Sequence, residues 1–233
     1  MRGSWAGRLS VYLAGLVVLA LGITLNVKTG LGVSPLVSVA HVAALAIPAP
    51  IGDTTFVLYS SFVVVQIVMH LLMYRRNRTL PIASIIVKDM LQLPLSMAFT
   101  RLMNVFEAAI PMMTDLVQGS FFASMAGRLL VLLAAIVCTG VGAAASLDMR
   151  LIPNPGDGIV QTIADVSHLE TGLVKNIFDG CSVALTLVLS YAILHENLTI
   201  GIGTLAAFLG IGRVMALFNR FVLPHLPRVG YIS

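Results

Sequence analysis

Four ionisable residues sit inside long apolar runs of the chain: Lys88, Asp89, Asp179 and Arg213. Charge at that depth in a bilayer is costly and normally faces a partner or a water-filled cavity. Lys88 and Asp89 therefore either pair with residues of other spans and serve packing, or line a solute or ion pathway. Neighbours on a helix point about 100° apart, so the two need not pair with each other. Asp179 follows Lys175 and Asn176 by one turn. Arg213 lies late in its run, where a long side chain can snorkel to the interface. A second set of residues punctuates shorter elements: Ser34-Pro35 in one half of the chain and Asn154-Pro155 in the other. Ser or Asn at an N-cap accepts hydrogen bonds from free amides, and proline at the first helical position has no amide to waste. Unsatisfied amides and the positive end of a helix attract acceptor groups. Asp157, two residues after Pro155, either offsets that positive end as part of a site or is simply a favourable first-turn acid.

Ser34, Asn154, Asp157, Lys88, Asp89, Asp179 and Arg213 thus form the candidate substrate or ion pathway. Nothing resembles a catalytic set: there is no HExxH, no Walker A, no CxxC and no Ser/His/Asp group at one depth. Gly201-Ile-Gly-Thr204 lacks the strand–turn–helix setting of a dinucleotide loop. Gly201, Gly203, Gly210 and Gly212 read instead as close-packing positions. His41, on an apolar face, reads as a hydrogen-bonded core residue. Cys138 and Cys181 lie within apolar runs as small packing residues, and two thiols make neither a disulfide framework nor a metal site. The chain is not expected to be an enzyme, and no cofactor is expected.

The elements that must hold these residues follow from composition. With 58% hydrophobic and 10% charged residues, and a mean hydropathy of +0.97, the chain is too apolar for a soluble domain. A bilayer crossing needs roughly 20 apolar residues. Such runs occupy residues 9–27, 55–74, 80–100, 129–147, 174–194 and 199–218. The first is longer than a signal-peptide core and has no small-x-small cleavage site before Lys28, so it is read as retained. The net charge of +4 is no nucleic-acid signal, because the basic residues sit in loops that flank apolar runs, where they set topology.

The chain also repeats itself at a constant offset. Arg8-Leu9 matches Arg128-Leu129, Gly22 matches Gly142, Pro35 matches Pro155, Gly52 matches Gly172 and Ile82 matches Ile202. Matches of Gly and Pro at one offset are informative, because those residues punctuate the backbone. Between the first two long runs of each copy lies a shorter element, residues 31–48 and 151–168. A helix there is limited to about 14 residues, or ~21 Å at 1.5 Å per residue, short of a ~30 Å hydrocarbon core. The second copy also carries Asp157, Gln161, Asp165 and His168, which lipid would penalise, with Ile159, Val160, Ile163 and Val166 spaced along one side. Both elements are read as re-entrant half-helices.

With three crossings per copy the second copy is inverted. Basic residues support this: Arg2, Arg8, Arg75, Arg76, Arg78, Arg150, Lys175, Arg220 and Arg228 collect on the cytoplasmic side. Lys28, Arg101 and Arg128 remain outside. The expected fold is an all-α polytopic membrane protein of two inverted-topology repeats, each with three transmembrane helices and a re-entrant half-helix. Repeat one covers residues 1–105, an external connector 106–127, repeat two 128–220 and a cytoplasmic tail 221–233, both termini being cytoplasmic.

Gly22-Ile-Thr-Leu and Leu31-Gly-Val-Ser-Pro35 resemble the opening of the YczE/YyaS-type bacterial integral membrane proteins. Pro155-Gly-Asp157, Lys175, Asp179 and Gly201-Ile-Gly-Thr204 resemble that family's second half, and Asp89 falls where its mid-span acid is expected. Val37 stands here opposite Asp157, and Leu151-Ile-Pro-Asn replaces a Leu-Gly pair. The resemblance implies an uncharacterised cell-membrane protein connected with transport and supplies no substrate. The resulting expectation is a secondary transporter or channel for a small solute, with a midplane site between the repeats. The alternatives are a non-transporting sensor, an accessory subunit, or a substrate-capture subunit driven by a separate ATPase. Expected partners are the bilayer, a small-molecule or ion solute, and a second copy or a membrane partner subunit; nucleic acid is not among them.

Overall fold

The computed structural model describes residues 5–226 apart from 77, 80, 118, 119, 150, 197 and 198. Arg2, Arg150 and Arg228, used above to argue topology, lie outside the described residues. The described chain is helical: α1 (Trp5–Lys28), α2 (Pro35–Ala46), α3 (Ile51–Arg76), α4 (Ile82–Ala109), α5 (Met125–Asp148), α6 (Pro155–Ser167), α7 (Thr171–Leu189) and α8 (Ile202–Phe221). A π turn, Ser190–Leu194, continues α7. Six helices are long and apolar enough to cross a membrane, and the chain is a multi-pass membrane protein. The two others have 12 and 13 residues, about 18–20 Å at 1.5 Å per residue, too short to span.

Both short helices start at proline, as their sequences predict. Ser34 and Asn154 occupy the N-cap positions, yet neither side chain makes a capping hydrogen bond. The expected capping role is therefore corrected: the amides of Val37 and Ser38 go to the Ser34 carbonyl, and those of Asp157 and Gly158 to the Asn154 carbonyl. Both side chains are left free for other work. The connector is also shorter than expected, since α4 runs on to Ala109 and α5 opens at Met125, with Ser124 Oγ accepting from the Gly127 amide at 3.1 Å.

The helices of the two halves begin at matched positions, each 120 residues apart: Trp5 and Met125, Pro35 and Pro155, Ile51 and Thr171, Ile82 and Ile202. Contacts match as well. Arg8, near the start of α1, donates to the Met149 carbonyl beyond the end of α5 at 2.6 Å. Arg128, its counterpart near the start of α5, donates to the Thr29 and Gly30 carbonyls beyond the end of α1 at 2.7 and 2.8 Å. The two helices therefore run antiparallel. They cross closely because Gly22 meets Thr139 and Ala135 while Gly142 meets Leu19 and Gly15, backbone against backbone, the usual device where no solvent drives helices together.

This pair forms the centre. In α1 and α5, 56% of the apolar window is buried, against 22% or less in the other four spans. Those four cover the outside with exposed Val57, Val64, Leu72, Met90, Met97, Leu185, Val188 and Leu205, as lipid-facing surfaces do. Each short helix packs mainly across the halves, α2 on α7 and α6 on α3. One contact breaks the correspondence. α3 and α4 pack along their lengths, whereas their counterparts α7 and α8 scarcely touch.

Candidate functional site

The starts of α2 and α6 meet. A Cβ on Gly156, in the first turn of α6, would strike the Leu36 side chain in the first turn of α2. Beside this junction lies a cavity of about 150 Å3. Its wall contains five pairs of residues related by the repeat offset: Leu19 and Thr139, Ile23 and Ala143, Ser34 and Asn154, Val37 and Asp157, Tyr59 and Asp179. The cavity thus sits where the two halves of the chain face one another. It is not itself symmetric, because α8 supplies Phe208, Ile211, Gly212 and Met215 while α4 supplies nothing. It extends into the space between α7 and α8, the pair that scarcely touches.

The polar groups of this wall are unusually free. Lys175 Nζ bonds Asp179 Oδ1 at 2.8 Å along α7. Asn154 Oδ1 and the Tyr59 hydroxyl are buried without hydrogen-bond partners, although buried polar groups are nearly always paired. The residues themselves are 7% and 0% exposed. Each such atom costs about 1–3 kcal/mol when left unsatisfied. Two in one cavity is a feature of places that accommodate a polar guest.

Four of the seven candidate pathway residues, Ser34, Asn154, Asp157 and Asp179, line this cavity. Three do not. Asp89 is buried and turned to His70, whose Nδ1 lies 2.7 Å from Asp89 Oδ2. The group extends through Gln92 and Gln66, which exchange side-chain hydrogen bonds at 3.1 and 3.3 Å, and Gln66 reaches the Pro155 carbonyl at 3.5 Å. Asp89 is thus tied into a polar network joining α3, α4 and the start of α6. Lys88, one residue earlier, points outward and is exposed, as is Arg213. His41 is half-buried with Nδ1 3.1 Å from Thr199 Oγ1. On α6, Gln161, Asp165 and His168 are exposed, while Ile159 and Val160 are buried and Val166 is not. Cys181 is exposed rather than packed, and Cys138 is half-buried.

Gly201 and Gly203 pack against Leu31 and Gly32, and Gly210 against Ile136; Gly212 is different, with nothing within 4 Å of a Cβ placed there. Its expected packing role is corrected: it leaves one wall of the cavity open. Sequence reasoning did not place Tyr59, Thr139, Lys175 or Asn176 among the candidates, although all four line the cavity. Tyr59 carried a usable signal, because it stands opposite Asp179 in the repeat.

The chain belongs to the family of unknown function DUF6198, whose model matches residues 6–220. The match covers nearly the whole of this multi-pass chain. No curated protein and no solved structure matches it.

Proposed function

We propose that this protein is a secondary transporter or channel for a small polar solute, built from two inverted-topology repeats of the YczE/YyaS type, with its site in the cavity where the half-helix starts meet. One observation carries the reading. Five repeat-related pairs converge on a single cavity whose wall holds unpartnered buried polar atoms, the arrangement expected of a midplane site between inverted copies. The antiparallel α1 and α5 support the inverted arrangement. In the cell membrane, with both termini cytoplasmic, the cavity opens toward the inner face. Lys175 and Asp179 are in the first turns of α7, which starts on that side, and the parted α7 and α8 form its mouth. Hinged motion of these two helices would expose the site in turn to either side.

The test uses single cysteines at Ser34 and Asn154 in a Cys138→Ala/Cys181→Ser background. In nanodiscs both should react with small polar methanethiosulfonates at rates far above that of a cysteine at buried Ala20. Inert cysteines at both positions, in protein that transports solute, would place the pathway elsewhere.

A further inference from the structure

The wall of the cavity is weighted toward acceptors, with the unpartnered Tyr59 hydroxyl as a donor beside them. Asp157 makes no side-chain hydrogen bond or ion pair among the described residues, and Asp179 engages one oxygen with Lys175. Asn154 adds an unpartnered carbonyl oxygen. The rings of Tyr59 and Phe208 line the same space, and aromatic faces attract organic cations. The positive ends of α2 and α6 point the other way electrostatically, at roughly half an elementary charge each. The end of α6, however, is covered by the Leu36 side chain packed on Gly156 and compensated by Asp157 in its first turn. An anion finds no open donor cluster there.

Among the described residues no group of three or more His, Cys, Asp or Glu is placed to hold a metal ion. We propose that the cavity binds a small organic monocation bearing N–H donors, an alkylammonium or guanidinium, seated between Asp157 and Asp179. In the empty site Lys175 stands in for it. Its ammonium already sits on Asp179, its side chain is 36% exposed, and its flexible stem lets it swing away. The cation then exchanges for the lysine, and the net charge of the cavity, two carboxylates against one cation, is the same before and after. This rests on the cavity being the solute site, so the experiment must separate the two ideas.

A single cysteine at Ser34 is reacted with two reagents of similar size and opposite charge, the trimethylammonium-ethyl and sulfonato-ethyl methanethiosulfonates. A cavity that concentrates cations should favour the cationic reagent about tenfold or more. Asp157→Asn and Asp179→Asn, each checked for an unchanged melting temperature, should erase most of that preference. Millimolar methylguanidinium, but not sodium acetate, should slow labelling. Lys175→Ala should strengthen this protection several-fold, whereas a lysine that only braces the site would lose it. Equal reactivity, faster labelling by the sulfonate, or protection by sodium alone overturns the organic-cation assignment and leaves the pathway standing. No reaction with either reagent overturns the pathway itself.

Discussion

Two glycines of similar helical setting should respond oppositely to the same substitution. In Gly142→Ala the new methyl would lie 2.7 Å from the Gly15 carbonyl oxygen and from the Leu19 Cα, and closer still to the Leu19 amide nitrogen. These are backbone atoms of α1 and cannot rotate away, so α1 and α5 must separate along the seam that forms the centre of the molecule. Overpacking of this kind typically costs 1–3 kcal/mol, about 2 here in the middle of that range. For a chain of this size each kcal/mol moves the melting temperature by roughly 2–4 °C, so a fall of about 4–8 °C is expected. In Gly212→Ala the methyl meets nothing within 4 Å. The helix gains up to about 1 kcal/mol of propensity, and the melting temperature should hold or rise slightly. Thermal unfolding of the purified protein, followed by tryptophan-independent thiol exposure or circular dichroism, measures both. The reasoning extends to Gly212→Phe, whose ring should enter the cavity and slow labelling of a cysteine at Ser34 without lowering stability. Equal destabilisation by the two alanine substitutions would refute the open wall beside α8.

Cysteines placed singly at Arg76, the last residue of α3, and at Glu196, the equivalent position two residues beyond the π turn after α7, should label from opposite sides of sealed vesicles; labelling from one side would refute the inverted arrangement. Asp89→Ala strands the half-buried His70 and the buried Gln92 and should cost about 1–3 kcal/mol, while Lys88→Ala beside it should change stability by no more than about 0.5 kcal/mol, both read as shifts in melting temperature. Arg128→Ala removes two charge-assisted hydrogen bonds to the turn after α1 and should destabilise by at least about 1.5 kcal/mol. Asn154→Ala, with no capping bond to lose, should leave the melting temperature within about 2 °C, where a cap would have cost about 1 kcal/mol.

The elements could be read from the chain because their causes are local. Apolar length sets the six spans, and proline fixes the starts of α2 and α6. The constant offset follows from the repeat itself. The cavity was partly readable for the same reason: Ser34 and Asn154 are marked by the prolines after them, and Asp157 and Asp179 by their charge. What could not be read depends on which way a side chain turns once helices pack. Lys88 and Asp89 are adjacent in sequence, yet one faces outward and the other meets His70 from the next helix. The idle caps of Ser34 and Asn154 are likewise a matter of rotamer, since N-cap position and N-cap hydrogen bond are separate facts. Gly212 shares its composition with Gly210 but not its neighbour.

The broken correspondence between α3/α4 and α7/α8 has its origin in particular residues. α3 and α4 are joined by Gln66 with Gln92, His70 with Asp89, and Asp53 with Arg101 at 2.8 Å, the last pair also holding Asn104. At the equivalent places in the second copy stand Thr186 with Gly212, Ser190 with Leu209, and Leu173 with Phe221, none of which can form such a link. Thr186 instead bonds Ser38 of α2 at 2.6 Å, and Ser190 turns to the Glu196 carbonyl at 2.7 Å. Where the two halves cross, at Gly22 and Gly142 and at Arg8 and Arg128, they carry the same residues. Where one helix pair closes and the other parts, their residues differ. The first half therefore supplies a wall latched by polar side chains, against which α6 and its Asp157 pack, and the second a helix pair without such latches, which carries Asp179.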